Sequence, residues 1–237
     1  MPPIGFSTGA VEKKEVAEGV RISAALGLHV IELSALRTVE LAPLTAFVSR
    51  TDLSAFGFVS LHAPTDYSQE QEPWVASTLS ALSIARGWPV VVHPDCIHDD
   101  ELWIGLGQLL FIENMDKRKS IGRTVTELAG IFDRFPLARL CFDIAHAHQV
   151  DTSMTEAYRI LRTFGNRVGQ VHMSEVTSSS KHDRMSNIAI SAFREVASLL
   201  SQSAPVILET PVTLAQAAAE LERAASVFET VARRVPA

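Results

Sequence analysis

The chain has 237 residues, 47% of them hydrophobic and 20% charged, which is ample for one sizeable core. Its formal charge is −6, and no basic run exceeds Lys117-Arg118-Lys119, so a surface built to grip nucleic-acid phosphates is not expected. No apolar run approaches the roughly 18 residues of a membrane span, and the Met-Pro-Pro-Ile-Gly-Phe-Ser start lacks the basic, then apolar, pattern of a signal peptide. Cys96 and Cys141 each lie in or beside an apolar run and read as buried free thiols. Such thiols fit the reducing cytoplasm, the expected location.

Eight short apolar runs alternate with longer amphipathic stretches. In chain order the predicted strands are Ile4–Ser7, His29–Leu33, Phe58–His62, Pro89–His93, Leu109–Glu113, Leu140–Asp143, Gly169–His172 and Val206–Glu209. Several are rich in Val and Ile, as buried parallel strands are. Helix signals fill the gaps. Gly27 closes an Ala-rich stretch before the second strand, and Pro73 opens a helix running through Trp74–Arg86. His98, Asp99 and Asp100 read as a helix start. Thr124-Val-Thr-Glu127, Ser153-Met-Thr-Glu156 and Thr213-Leu-Ala-Gln216 fit the capping-box pattern. Successive strand ends lie 20 to 37 residues apart, near the thirty of one βα unit. The interval of 20, after His93, leaves room only for a short helix near Asp99–Gly107. The predicted fold is α/β, a single-domain (β/α)₈ TIM barrel over residues 1–237, because no glycine-rich phosphate loop of an open doubly wound sheet follows the first strand.

Polar residues collect at the strand ends. His62, His93, Glu113, Asp143, His172 and Glu209 terminate the third to eighth runs in succession. One such residue is usually just the first solvated position. In a parallel barrel, however, all strand C-termini open onto one face, and crowded carboxylates there need a compensating cation. Carboxylates mixed with imidazoles suit Mn²⁺, Co²⁺, Zn²⁺ or Mg²⁺. Glu32 reads equally as a substrate contact or a polar barrel residue. Glu175, three residues after His172, is placed to orient that histidine. His148 is expected at the surface, and Trp74, Trp88 and Trp103 are expected to pack helices.

The segments Phe111-Ile-Glu113-Asn, Cys141-Phe-Asp143-Ile-Ala-His146, Val171-His172-Met-Ser-Glu175 and Ile207-Leu-Glu209-Thr resemble those of the xylose isomerase-like barrels, which include sugar isomerases, ketose 3-epimerases and endonuclease IV repair enzymes. The resemblance runs along essentially the whole chain. It implies that Glu113, Asp143, His172 and Glu209 bind one divalent metal ion, and that Glu113 and Glu209 exchange protons with a sugar-like small molecule through a metal-stabilised enediolate. It also points to a second activity class. His62 and His93 look like ligands of an additional ion in the repair enzymes, and His146 and Asp183 like two of three ligands of a further one. Met185 stands where those enzymes have a histidine, and a thioether suits zinc poorly beside oxygen donors.

His62, His93 and His146 are alternatively substrate-binding residues. Lys181, His182 and Arg184 join them if the Lys181-His-Asp-Arg184 run is a functional loop offering cations to an anionic group; the same run reads equally as a solvated loop. The expected function is a metal-dependent sugar, or sugar-derived acid, isomerase or epimerase. The alternatives are a metal-dependent phosphodiesterase holding two or three ions and a barrel that binds metal or ligand without turnover.

Overall fold

The computed structural model describes residues 1–11 and 15–232; the expected domain also covers 12–14 and 233–237, outside the described residues. Eight parallel strands close into a barrel: β1 (Ile4–Ser7), β2 (Val30–Ser34), β3 (Phe58–His62), β4 (Val90–Val92), β5 (Leu110–Glu113), β6 (Arg139–Asp143), β7 (Val168–Met173) and β10 (Val206–Leu208), with β10 pairing both β7 and β1. Each lies within two residues of its predicted bounds. The helices are α1 (Val16–Ala25), α2 (Thr38–Val48), α3 (Glu72–Arg86), α4 (Val125–Arg134), α5 (Ile144–Val150), α6 (Thr155–Phe164), α7 (Asn187–Ala197) and α8 (Leu214–Ala232). None among the described residues is long and apolar enough to cross a membrane. The main core lies between strands and helices, and a smaller cluster of Val91, Phe111 and Cys141 forms separately, with Phe58 against it. Both cysteines are free and buried.

The short fourth interval behaves differently from the expectation of a helix. Three 3₁₀ turns, Pro94–Cys96, Asp100–Leu102 and Ile104–Leu109, replace it. Trp103 lies between the last two and is fully buried. Its indole N–H donates to Glu72 Oε1 at 2.9 Å, and the two Glu72 oxygens also accept from the backbone N–H groups of His98 and Asp99 at 2.9 and 3.0 Å. A buried carboxylate with three donors thus pins the segment against α3. Glu72→Ala leaves the buried Trp103 indole N–H and the two part-buried backbone N–H groups without their acceptor, at up to about 1–3 kcal/mol each. We expect a total loss of about 3–5 kcal/mol, read as a lower urea midpoint; an unchanged midpoint would contradict this anchoring.

Caps follow the sequence in part. Pro73 sits in the first turn of α3, and Gly87 ends it at φ 69°, a left-handed geometry that favours glycine. Thr124 accepts from the Glu127 N–H at the start of α4, as expected. Before α6 the cap is different: Met154 takes the N-cap position at φ 60°, and Asp151 accepts from the Glu156 N–H. Two elements had no counterpart in the reading of the sequence. They are α5, which starts directly after Asp143, and an antiparallel hairpin, β8 (Glu175–Val176) with β9 (His182–Asp183), after β7.

Candidate metal centre

Glu113, the last residue of β5, is almost fully buried and is surrounded by imidazoles. Its Oε2 lies 3.3 Å from His62 Nε2 and 3.2 Å from His93 Nε2. Its Oε1 lies 3.3 Å from His146 Nδ1 and 3.5 Å from His172 Nδ1. His62 closes β3 and His93 follows β4, while His172 is the penultimate residue of β7. His146 reaches the centre because α5 begins at once: Asp143 caps that helix by accepting the His146 N–H at 2.7 Å. Asn114 joins two strand ends, donating to the Asp143 carbonyl and accepting its N–H, both at 2.8 Å.

One donor atom from each of Glu113, Asp143, His172 and Glu209 falls within 4.8 Å of the other three. Three atoms of these residues, Asp143 Oδ2, His172 Nδ1 and Glu209 Oε2, are buried without a hydrogen-bond partner. Orphaned buried acceptors are costly in a folded protein, and a shared divalent cation satisfies all of them. Three carboxylates and one imidazole also match the donor preferences of Mn²⁺, Co²⁺, Zn²⁺ and Mg²⁺. The residues therefore fit such an ion.

The orientation of His172 comes from Glu32, a partner the sequence offered only as an ambiguous strand residue. Glu32 is fully buried, and its Oε2 accepts from His172 Nε2 at 2.9 Å and from Gln170 Nε2 at 2.7 Å. Placing the His172 proton on Nε2 leaves Nδ1 bare on the side of Glu113 and Glu209. Glu175, the expected partner, instead accepts the Ser186 N–H at the start of α7. Removing Glu32 should loosen the ligand behind it. We expect Glu32→Ala to weaken Mn²⁺ binding by about 10- to 100-fold in a chelator-competition titration; equal affinities would remove Glu32 from the account.

Burial raises Asp143, and the nearby charges of Glu209 and Glu113 add to it, so its carboxyl sits at about 6 despite His146. Burial works against Glu113 as well, but the His93 and His172 charges and hydrogen bonds from His146 and His172 hold it well below the ordinary carboxylate range. For His62, burial is outweighed by the Glu113 hydrogen bond and by the charges of Glu32 and Glu113, which lift it to about 9. His146 rises to about 10 against its own burial, through Asp143 and Glu113. In the metal-free protein, protons on imidazoles neutralise the carboxylates.

The remaining predicted residues divide. Lys181 and His182 line a cavity of about 470 Å³ beside Glu209, together with Ser7, Gly9 and Leu36. His182 Nδ1 lies 2.8 Å from Ser174 Oγ and 3.7 Å from Glu209 Oε2. Asp183 is not brought to the centre: it stands exposed and accepts from the Arg184 N–H. Met185 is buried in the core, and Arg184 turns toward Glu220, 3.6 Å away. His148 is partly buried edge-on against Phe193, on the α7 side of α5.

The closed (β/α)₈ barrel is a fold that the chain shares with solved structures of distant sequence. No protein-family model matches the chain, and no curated protein matches it by sequence. Among solved structures it is similar to endonuclease IV from Thermus thermophilus, at 22% identity and a TM-score of 0.66, over 97% of this chain and 100% of the other. It is also similar to a xylose isomerase domain protein from Planctomyces limnophilus (11% identity, TM-score 0.65, 98% and 99% covered). L-ribulose 3-epimerase gives 13% identity and a TM-score of 0.59, with 99% and 97% covered.

Proposed function

We propose that the chain is a divalent-metal-dependent isomerase or epimerase acting on a small sugar or sugar-derived acid. The observation carrying this reading is the convergence of Glu113, Asp143, His172 and Glu209, with three of their donor atoms otherwise unpartnered. These four residues would hold the ion, which supplies Lewis-acid polarisation of a carbonyl and an adjacent hydroxyl and so acidifies the C–H bond between them. An epimerase of this fold among the similar structures agrees with the reading.

The protein's own groups divide the proton work by exposure. Glu209 borders the cavity and takes or returns the proton at carbon. Glu113 does not line that cavity and passes a proton on to His93, whose Nε2 faces its Oε2. His182 borders the same cavity and holds the outer side of Glu209. Lys181 offers its ammonium to an acidic substituent at the cavity rim. The test is a screen of ketoses, aldoses and sugar acids with Mn²⁺-loaded protein in D₂O. Deuterium incorporation next to a carbonyl is expected for at least one, and its absence throughout the screen would count against this reading.

A specific observation favours a hydrolytic second reading. His62 Nδ1 donates to the Ala63 carbonyl at 2.9 Å, which leaves Nε2 bare in the neutral ring, and His93 Nε2 faces the same Glu113 oxygen. His62, His93 and Glu113 would hold a further ion, which would supply the second charge that two-ion phosphodiester hydrolysis uses. Against it, two members of the basic triplet are already engaged: Arg118 donates to the Ser179 carbonyl and Lys119 pairs with Asp95. Turnover of bis(4-nitrophenyl) phosphate with two or more bound ions, and no deuterium exchange, would favour hydrolysis.

A further inference from the structure

Beside His93 lie two donors, Asp95 and Cys96, that the proposed chemistry does not use. One ring nitrogen of His93, a carboxylate oxygen of Asp95 and the Cys96 sulfur lie within 4.8 Å of one another. His93 Nε2 is engaged with Glu113 at 3.2 Å, whereas its Nδ1 is buried with no hydrogen-bond partner. Asp95 is divided in the same way: Oδ2 takes Lys119 Nζ at 2.7 Å, and Oδ1 is buried and unpartnered. Cys96 is 7% exposed and makes only a weak S–H contact, 3.7 Å from the Thr65 carbonyl. Three different donor types therefore end in one place with two buried acceptors unsatisfied.

The backbone holds them there. His93-Pro-Asp-Cys96 forms a 3₁₀ turn directly after β4, closed by the Cys96 N–H donating to the His93 carbonyl at 3.0 Å, with Pro94 at its first position. Pro94 fixes φ, so the turn is set before any ligand arrives. The His93 and Asp95 side chains keep 14% and 18% of their surface exposed, enough for an ion to enter from solvent.

We propose that His93, Asp95 and Cys96 form a second, thiophilic metal site for a zinc-like divalent ion, separate from the Glu113 centre and sharing the His93 ring with it. Nitrogen, oxygen and sulfur ligands are all normal for Zn²⁺, and three protein ligands leave a fourth position open. A thiolate donor selects against Mg²⁺ and Ca²⁺, which take oxygen. On binding, the Cys96 S–H gives its proton to the buffer as the sulfur–metal bond forms, with no change of oxidation state. Thiolate and carboxylate together carry two negative charges, so Lys119 neutralises one and leaves the other to the ion. The site leaves His93 Nε2 to Glu113, so it is compatible with the isomerase reading and competes with the two-ion reading for the His93 ring.

Co²⁺ titration followed by absorbance tests it, because only thiolate ligation gives an intense near-ultraviolet charge-transfer band. The band is expected in the wild-type chain, lost in Cys96→Ser, retained in Asp143→Ala and displaced by Zn²⁺. Asp143→Ala keeps the two sites distinguishable, since it disables the Glu113 centre alone. No band in the folded wild-type chain with Co²⁺ in excess would overturn the proposal. A band surviving in Cys96→Ser would assign the thiolate to Cys141 and overturn it equally, and loss in Asp143→Ala would merge the two sites and refute their separation.

Discussion

Glu209→Gln is expected to lower carbon–hydrogen exchange by about 10²- to 10⁴-fold, the usual worth of a positioned general base. Glu209 follows β10 and borders the cavity, unlike Glu113, whose two oxygens face four imidazoles. The amide is nearly isosteric, so His172 and His182 keep a neighbour of the same shape. What disappears is the ability to accept a proton. One metal ligand is also weakened, so the assay is run at saturating Mn²⁺, with bound metal measured in the same sample. A variant that retains metal but loses exchange carries the prediction; full exchange in a metal-loaded Glu209→Gln would remove the residue from proton transfer.

Metal binding is expected to expel protons. His172 is held well above its ordinary value: burial opposes the charge, but Cys141, Glu209, Glu32 and Glu113 around the ring outweigh it. An ion needs Nδ1 bare, so at neutral pH it must displace at least one proton. Affinity should then rise about tenfold per pH unit for each proton displaced. Stability of the metal-free protein follows from the same groups. His62 and His146 have folded values raised to about 9 and about 10, so their contribution is fully present below about 6.5 and is lost as pH rises through those folded values. Asp143, raised to about 6, has the same sign: its contribution is present below its unfolded value and lost as pH rises through about 6. The metal-free protein should therefore weaken on the alkaline side, and the loaded protein much less. Mn²⁺ titration calorimetry in two buffers of different ionisation enthalpy reads the proton count directly. Identical heats in both would contradict the displacement.

Much of the barrel was legible because hydrophobic runs and strand ends carry its signal locally. His62, Glu113 and Asp143 close β3, β5 and β6 as the sequence suggested, and strand register places Asp143 opposite His172. The rest depends on contacts that no local pattern announces. Glu32 lies 140 residues from His172 in sequence yet orients it, which only barrel closure arranges. The replacement of a fourth helix by 3₁₀ turns rests on a carboxylate, Glu72, contributed by the preceding helix. The hairpin after β7 is two residues per strand, too short for a periodic signal, and it decides that His182 rather than Asp183 meets Glu209.

Metal stoichiometry by elemental analysis, after dialysis against limiting Mn²⁺, bears most directly on the shared ion. Manganese binds poorly to thiolates and so reports the Glu113 centre. The wild-type chain should retain about one Mn²⁺, and Glu113→Ala and Asp143→Ala close to none, with all three folded by circular dichroism. Retention in both variants equal to that of the wild type would mean that these carboxylates do not share a cation.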